Sequence, residues 1–266
     1  MIKLVIAGVC GRMGSAILKL ALSDPGFEVA GGLERKGHPM VGEGLDVVQP
    51  GMPAACRISD DLAQVIDGAD VLIDFTEPAS TLEHFRLAAG RGKAIVIGTT
   101  GFSQNALQEI SKTAGTRVVM SPNMSIGVNL MFDLVRRAAS ALTGDYDIEI
   151  LELHHRWKKD APSGTAVRLR QVIEAARPET PSIQVSGREG IIGERKPGEI
   201  GVLAIRGGDI VGEHTVFFAG LGERLEITHK ASSRDNFARG TLLAAKWLIR
   251  QPPGLYDMKD VLGLIP

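Results

Sequence analysis

Residues 2–17 read IKLVIAGVCGRMGSAI, and three structural signals follow one another within them. Residues 2–7 form a short apolar run rich in β-branched side chains, which suits a buried strand. Gly8, Gly11 and Gly14 then recur at every third position. Beyond them Ile17, Leu18, Ala21 and Leu22 carry helical spacing. A strand, a glycine loop and a helix in that order make the context in which a dinucleotide fingerprint has physical meaning. Gly8 allows a tight turn, Gly11 lets backbone approach a pyrophosphate, and Gly14 lets the helix pack close to the strand. The helix N-terminus offers N–H groups to phosphate. The spacing is G-x-x-G-x-x-G rather than G-x-G-x-x-G, so a tight strand–helix turn without a ligand is the competing reading.

The alternation continues outward from this loop. FEVAGGLE (27–34), ADVLIDFT (69–76), KAIVIGTT (93–100) and TRVVMSPN (116–123) read as apolar strands, with helical patterns in DDLAQVIDG, ASTLEHFRLAAGRG and SQNALQEISKTAG between them. Apolar strands alternating with helices predict an α/β domain whose parallel sheet is covered on both faces. The pattern changes near Ser125. IGVNLMFDLVRRAASALTG (126–144) predicts a long amphipathic helix, YDIEILELHH alternates with period two, and a helix follows over about 165–176. IGVLAIRGG, HTVFFAG and RLEITHKAS are strand-like runs joined by glycine-containing turns. This half predicts a smaller α+β unit with an open mixed or antiparallel sheet and helices on one face. DNFARGTLLAAKWLIRQ returns to a helix.

Composition limits the function. The chain has 266 residues, 44% of them hydrophobic, with a net charge of −1. That balance gives no global basic field for nucleic acid or an anionic membrane, and local basic groups would serve a small anionic ligand. Two cysteines, Cys10 and Cys56, make neither a disulfide framework nor a cysteine-rich metal site, and suit a reducing compartment. The opening segment lacks a signal-peptide layout, and no apolar stretch approaches a membrane span. The expectation is a soluble, cytoplasmic protein that uses no metal.

Glu34 ends the second strand, 20 positions beyond Gly14. An acidic residue at about that interval can accept hydrogen bonds from an adenosine ribose, while Arg35 beside it could meet a 2′-phosphate. Carrying both suggests use of NADH and NADPH alike; a solvated surface pair is the bland alternative. Arg12 could face phosphate or the nicotinamide side. GTTG (98–101) and SPNMS (121–125) end two further strands, and ligands of such sheets bind beyond the carboxyl ends of strands. Either alone is an ordinary loop; with the glycine loop they form one rim.

A second cluster lies in ELHHRWKKDAPSGTA (152–166). Successive strand residues point to opposite faces, so His154 and His155 share a site only if the strand ends or bends there. Asp160-Ala161-Pro162 supports a chain leaving the strand. Ser163-Gly164-Thr165 resembles a helix start whose N–H groups and Thr165 hydroxyl would hold a carboxylate. Lys158 and one histidine add positive charge, so the segment suits a small di-anion whose chemistry needs a proton. Zinc is the rival reading, but no clear set of three ligands appears. His84, His214 and His229 read as structural or exposed.

With GVCGRMG, LER, IDFT, GTTG, SPNMSIGVN and SSRDNFARGTLLAAKWL, this segment gives the chain a resemblance to the 4-hydroxy-tetrahydrodipicolinate reductase family over essentially its whole length. The resemblance implies a Rossmann-like cofactor domain over 1–125, closed by the tail at 235–266, and a substrate-binding domain over 126–234 that builds a homotetramer. It implies that NADH or NADPH reduces the dehydrated form of a small dicarboxylate, 4-hydroxy-tetrahydrodipicolinate, in lysine and diaminopimelate synthesis. Hydride adds at ring carbon C4 and a proton at C3. By the same resemblance His154 is the proton donor or acceptor, Lys158 the proton donor, and His155 a substrate contact, while Gly164 and Thr165 hold a ring carboxylate. Gly8, Val9, Cys10, Gly11, Arg12, Met13, Glu34, Arg35, Gly98, Thr99, Thr100, Ser121, Pro122, Asn123 and Met124 match cofactor positions, and Arg234 contacts cofactor or substrate. Two residues depart from the family pattern: Cys10, where a small residue is common, and Trp157, which reads as packing at the site edge. Another nicotinamide-dependent dehydrogenase would share the glycine loop without the HHRWKKDAPSGTA run, and a non-catalytic NAD(P)H sensor would have no use for His154 and Lys158.

Overall fold

In the computed structural model the N-terminal apolar run forms β1 (Ile2–Ala7), and the helical spacing beyond the glycine loop forms α1 (Arg12–Leu22). There follow β2 (Phe27–Leu33), β3 (Ile58–Ser59), α2 (Leu62–Val65), β4 (Val71–Asp74), α3 (Pro78–Gly90), β5 (Ala94–Ile97), α4 (Gln104–Lys112) and β6 (Arg117–Met120). Next come α5 (Ile126–Ala141), β7 (Asp147–His154), α6 (Gly164–Ala176), β8 (Ile183–Val185), β9 (Glu199–Arg206), β10 (Gly212–Ala219) and β11 (Arg224–Ala231). The chain ends with α7 (Asp235–Leu248), β12 (Gly254–Tyr256) and α8 (Met258–Leu262). The structure describes residues 1–53, 56–113, 115–142 and 144–264. Ala114 and Thr143, near the ends of two expected helices, and the last two residues of the tail lie outside the described residues. Two units result: Met1–Ile126 with the chain from Arg234 onward, and Gly127–Ser233.

The first unit is built on a seven-stranded sheet in the order β12-β6-β5-β4-β1-β2-β3, parallel throughout. Strand alternation explains why near-continuous apolar runs are needed. Leu4 and Ile6 face one core with Ile73, Val96 and the inner sides of α1 and α7. Val5 and Ala7 face the other with Leu72, Ile95, Phe85 of α3 and Ile110 of α4. Each fully buried aliphatic side chain contributes roughly 1.5–3 kcal/mol, so two faces of such residues form the stability base of this unit. The chain winds to one side of β1 through β2 and β3, and to the other through β4, β5 and β6. That reversal opens a crevice beyond the carboxyl ends of β1 and β4, where such sheets bind ligands.

The second unit is a five-stranded mixed sheet in the order β11-β10-β7-β9-β8. β10 is antiparallel to β7 and β11, and β9 is parallel to β7 and β8. Val128, Phe132 and Val135 of α5, with Leu169 and Ile173 of α6, pack on Ile148, Ile150, Val202, Val216 and Phe218 of the sheet. The strand β8, Ile-Gln-Val and mostly exposed, is too short for its alternation to announce it. On β7 the core-facing positions run Ile148, Ile150, Glu152, His154. The apolar core therefore passes into a polar cluster at the end of one strand.

Candidate active site

Glu152 is fully excluded from solvent, and its charge is balanced from three directions. Arg206 donates to both carboxylate oxygens at 2.8 Å, the Ser163 N–H donates to Oε1 at 3.0 Å, and His154 Nδ1 lies 2.5 Å from Oε2. The sheet register makes this possible, because β9 sets Arg206 opposite His154 and β10 sets His214 opposite Glu152. Burial pushes the Glu152 pKa upward, but the hydrogen bonds from His154, Arg206 and Ser163 outweigh it and hold the carboxyl at about 2. An ionised Glu152 accepts the Nδ1 proton of His154 and leaves Nε2 as the atom that can exchange a proton.

His214 packs edge-on to His154, with ring centroids 5.3 Å apart. Its Nε2 meets the Ser163 hydroxyl at 2.9 Å, and burial, with the neighbouring His154, lowers its pKa to about 4. It is therefore a neutral ring that buttresses His154 and the start of α6. His229 sits opposite His214 on β11, and its ring closes on Gly127, where a Cβ would come within 2.7 Å.

Beyond His154 the chain turns. The Gly207 N–H donates to the His154 carbonyl at 2.9 Å, and the Lys158 N–H donates to the His155 carbonyl at 3.1 Å. Lys158 Nζ donates to both oxygens of Asp160 at 2.9 Å, and that hydrogen bond lowers the Asp160 pKa. His155 stacks obliquely on Trp157, a residue 68% exposed, so Trp157 edges the segment and is not core. Ser163 caps α6 by accepting the Ala166 N–H. Gly164 and Thr165 occupy the first turn, where backbone N–H groups precede the intrahelical ladder. Apart from its chain neighbours and its own helix backbone, no described atom lies within 4 Å of the place a Gly164 Cβ would take, so that side of the turn is open.

In the first unit the glycine loop divides its labour. Gly8 has φ +66°, and a Cβ on Gly14 would sit 2.1 Å from the Gly8 carbonyl oxygen. The amides of Gly8 and Val9 donate to the Leu33 carbonyl, Cys10 donates to Glu34 Oε1 at 2.9 Å, and Gly11 donates to the Gly8 carbonyl. The α1 ladder begins with Ser15 donating to Gly11. Arg12, Met13 and Gly14 therefore supply the amides that face outward, with no side-chain cap at Gly11 and no acidic residue in the first turn among the described residues. Glu34 and Arg35 line a cleft of about 330 Å³ with Gly8, Thr76 and His84. Arg12 and Arg35 are exposed.

The strand ends beyond β4, β5 and β6 are held by side-chain bonds that the sequence did not reveal. Buried Asp74 accepts from the Thr76 amide and hydroxyl, from the Thr81 hydroxyl at 3.0 Å, and from His84 Nδ1 at 2.7 Å. Burial raises its pKa, and the bonds from His84 and Thr76 more than offset that. Thr99 is tied to Thr81 at 2.8 Å, and the Phe75 ring fills the space where a Gly98 Cβ would go. Ser121 and Asn123 bond to each other and onward to Ser125. Val9, Thr99, Ser121 and Met124 are buried, while Thr100 and Pro122 are exposed. Arg234 stands at the N-cap of α7.

Sequence reading passed over Glu152, Arg206 and Asp74. For Glu152 the signal was present: positions i and i+2 of one strand share a face, so Glu152 lies with His154. Arg206 has no such local signal, because its partner is 54 residues away.

Two family models match the chain: "Dihydrodipicolinate reductase, N-terminus" over residues 2–124 and "Dihydrodipicolinate reductase, C-terminus" over residues 127–262. The chain is 52% identical over 266 residues to a 4-hydroxy-tetrahydrodipicolinate reductase of Syntrophobacter fumaroxidans, covering 99% of this chain and 100% of that one. It is 50% identical to the protein of the same name from Anaeromyxobacter dehalogenans, covering 99% and 98%. The solved structure of a dipicolinate-bound dihydrodipicolinate reductase from Paenisporosarcina sp. TG-14 matches with a TM-score of 0.80 at 25% identity, covering 100% of both chains. An amine dehydrogenase from Mycobacterium smegmatis matches with a TM-score of 0.60 at 15% identity over 96% and 94%, a likeness of fold alone.

Proposed function

The chain belongs to the dihydrodipicolinate reductase family, and we propose that it reduces dehydrated 4-hydroxy-tetrahydrodipicolinate to tetrahydrodipicolinate with NADH or NADPH, a step of diaminopimelate and lysine synthesis. The first unit's residues fit a dinucleotide. Arg12, Met13 and Gly14 hold the pyrophosphate at the uncapped start of α1, and Glu34 takes the adenosine ribose through the carboxylate oxygen that Cys10 leaves free. Arg35, exposed beside Glu34, meets a 2′-phosphate when the carrier is NADPH. When bound, the nicotinamide supplies the hydride.

The second unit handles the protons and the carboxylates. Glu152 holds the His154 proton on Nδ1, so Nε2 exchanges a proton with the substrate. Lys158, whose Nζ is held by both oxygens of Asp160, donates the other proton. His155 contacts the substrate, and the first turn of α6 at Gly164 and Thr165 receives a ring carboxylate. Positioned acid catalysis of this kind contributes ~10²–10⁴-fold. The reading rests above all on the arrangement of Arg206, Glu152 and His154, because an inaccessible carboxylate that is charged, paired and aimed at a histidine orients a proton-transfer group. A homotetramer built by the second unit and a cytoplasmic location belong to the same reading. β11 leaves Leu225 44% exposed at an edge of the sheet, and no helix among the described residues is long and apolar enough to cross a membrane.

The test is oxidation of NADH and NADPH by the purified protein, with substrate generated in the assay from pyruvate and aspartate semialdehyde by the preceding enzyme. Rapid oxidation, lost in Lys158→Ala, is the expected result. No oxidation with intact NADH binding would send the chain to a different substrate or to a sensing role.

A further inference from the structure

We propose that Cys10, Glu34 and His38 form a binding site for a thiophilic divalent cation of the zinc type, and that the cation there excludes the adenosine end of the dinucleotide. One ligand atom from each residue lies within 4.8 Å of the other two. The three come from separate pieces of chain: Cys10 from the glycine loop, Glu34 from the residue after β2, and His38 from the loop beyond. A tight turn brings the histidine back, with the His38 N–H donating to the Arg35 carbonyl at 3.1 Å and Gly37 at φ +74°. The Cys10 amide already holds Glu34 at 2.9 Å, so two of the ligands are fixed relative to each other.

The donor set selects the ion. A thiolate, an imidazole and a carboxylate suit zinc, leaving a fourth tetrahedral position for water, whereas magnesium and calcium take oxygen ligands. Tetrahedral zinc at ordinary bond lengths separates its ligands by roughly 3.5 Å, so these side chains need close by only about an ångström. All three are partly exposed, and a cation enters from solvent. Without the cation Cys10 is a free thiol with its S–H proton in place. The cation displaces that proton: one S–H bond breaks, one sulfur–metal bond forms, and one proton leaves to solvent. His38 Nδ1 now accepts a long bond of 3.3 Å from the Met40 N–H, which coordination replaces.

The exclusion half rests on the assignment of Glu34 to the adenosine ribose. A carboxylate engaged by the cation is withdrawn from that ribose, and the cation occupies the same end of the cleft. Motif spacing hides the site, because Cys10 and Glu34 are 24 positions apart and meet only through the pairing of β1 with β2.

The experiment begins with cobalt(II) titrated into protein free of dinucleotide. The expected result is one equivalent bound with a thiolate-to-cobalt charge-transfer absorption, lost in Cys10→Ser and weakened at least tenfold in His38→Gln. NADH binding is then followed by fluorescence with and without zinc. Its apparent Kd should rise in proportion to free zinc in the native protein, while His38→Gln should bind NADH normally without metal and respond to zinc at least tenfold less. No charge-transfer band, or an unchanged band in Cys10→Ser, overturns the site. Zinc inhibition undiminished in His38→Gln overturns it too. A thiolate band with NADH affinity unmoved overturns the exclusion. Failure of NADH to bind without any metal sinks the cofactor assignment instead, with the metal spectrum judged separately.

Discussion

At the glycine loop the groups offered to a ligand are backbone. The amides of Arg12, Met13 and Gly14 face outward because the four before them are already bonded to Leu33, Glu34 and Gly8, and Gly14 is required by a 2.1 Å approach to the Gly8 carbonyl. At the histidine–lysine segment the groups proposed to move protons are side chains, Lys158 and Nε2 of His154, with a buried shell of Glu152, Arg206 and His214 around them. A backbone site is damaged by adding atoms. A side-chain site is damaged by removing them, and the damage falls on chemistry before binding.

The largest effect expected from that contrast comes from Lys158→Ala and His154→Ala. Each should lower kcat by ~10²–10⁴-fold, the usual worth of a positioned acid or base, with NADH affinity unchanged by fluorescence titration. A matching loss of NADH affinity would erase the division between the two units. Next comes Gly14→Ala. The added methyl meets backbone, which cannot rotate aside, so the loop or α1 must move. Overpacking of this kind costs about 1–3 kcal/mol, read as a fall in Tm together with a rise in the NADH Kd.

Glu152→Gln sharpens the comparison, because Glu152 touches no ligand in the proposed site. It keeps the side-chain volume but removes the charge that fixes the His154 tautomer and that Arg206 balances. We expect kcat to fall about tenfold to a hundredfold, the effect seen for partners that orient histidines at metal centres, with KM little changed. The pH profile of kcat should move as well, which a merely structural residue would not cause. Smaller again is Arg35→Ala. An exposed charge-assisted hydrogen bond is lost, so KM for NADPH should rise about tenfold while KM for NADH stays level. Equal changes for both dinucleotides would remove Arg35 from the 2′-phosphate.

The same contrast explains how much could be read from the sequence. The parallel sheet was legible because a strand buried on both faces must be continuously apolar, as in AIVI of β5. The glycine loop was legible as a turn, but which amides remain available was not, since that depends on Leu33 and Glu34 arriving beside it. His154 and Lys158 stood out as residue types. Their support did not, because Arg206 reaches Glu152 only through the register of β9 with β7; nor, in the first unit, did Asp74, which gathers two threonines and His84 around a strand end. His84 read as structural or exposed, and it proves to line the cleft while bonding a buried carboxylate. The Glu152 charge is invisible locally because Arg206, which makes it tolerable, comes from 54 residues away, whereas the partners of Asp74 lie within ten residues but have no periodic pattern to mark them.

Asp74 and Glu152 allow a final test across the two units, with the smallest expected effect. Both are wholly inaccessible carboxylates held ionised, Asp74 by hydroxyls and His84, Glu152 by Arg206 and His154. Their folded pKa values lie below the ordinary ones, so each stabilises the folded state above its unfolded pKa, and that stabilisation drains away as pH falls through the folded value. For Glu152 the window runs from the ordinary 4.5 down to about 2. Stability should therefore be level from pH 7 to about 5 on this account and decline below about 4.5, read as Tm at roughly 2–4 °C per kcal/mol for a chain of this size. Glu152→Gln should lower Tm at pH 7 and flatten the acid slope, because the unpaired Arg206 is then left at every pH. A slope that stays as steep in the mutant would mean that Asp74, not Glu152, sets the acid limit. The network of hydroxyls around the first unit's strand end would then be the more fragile of the two.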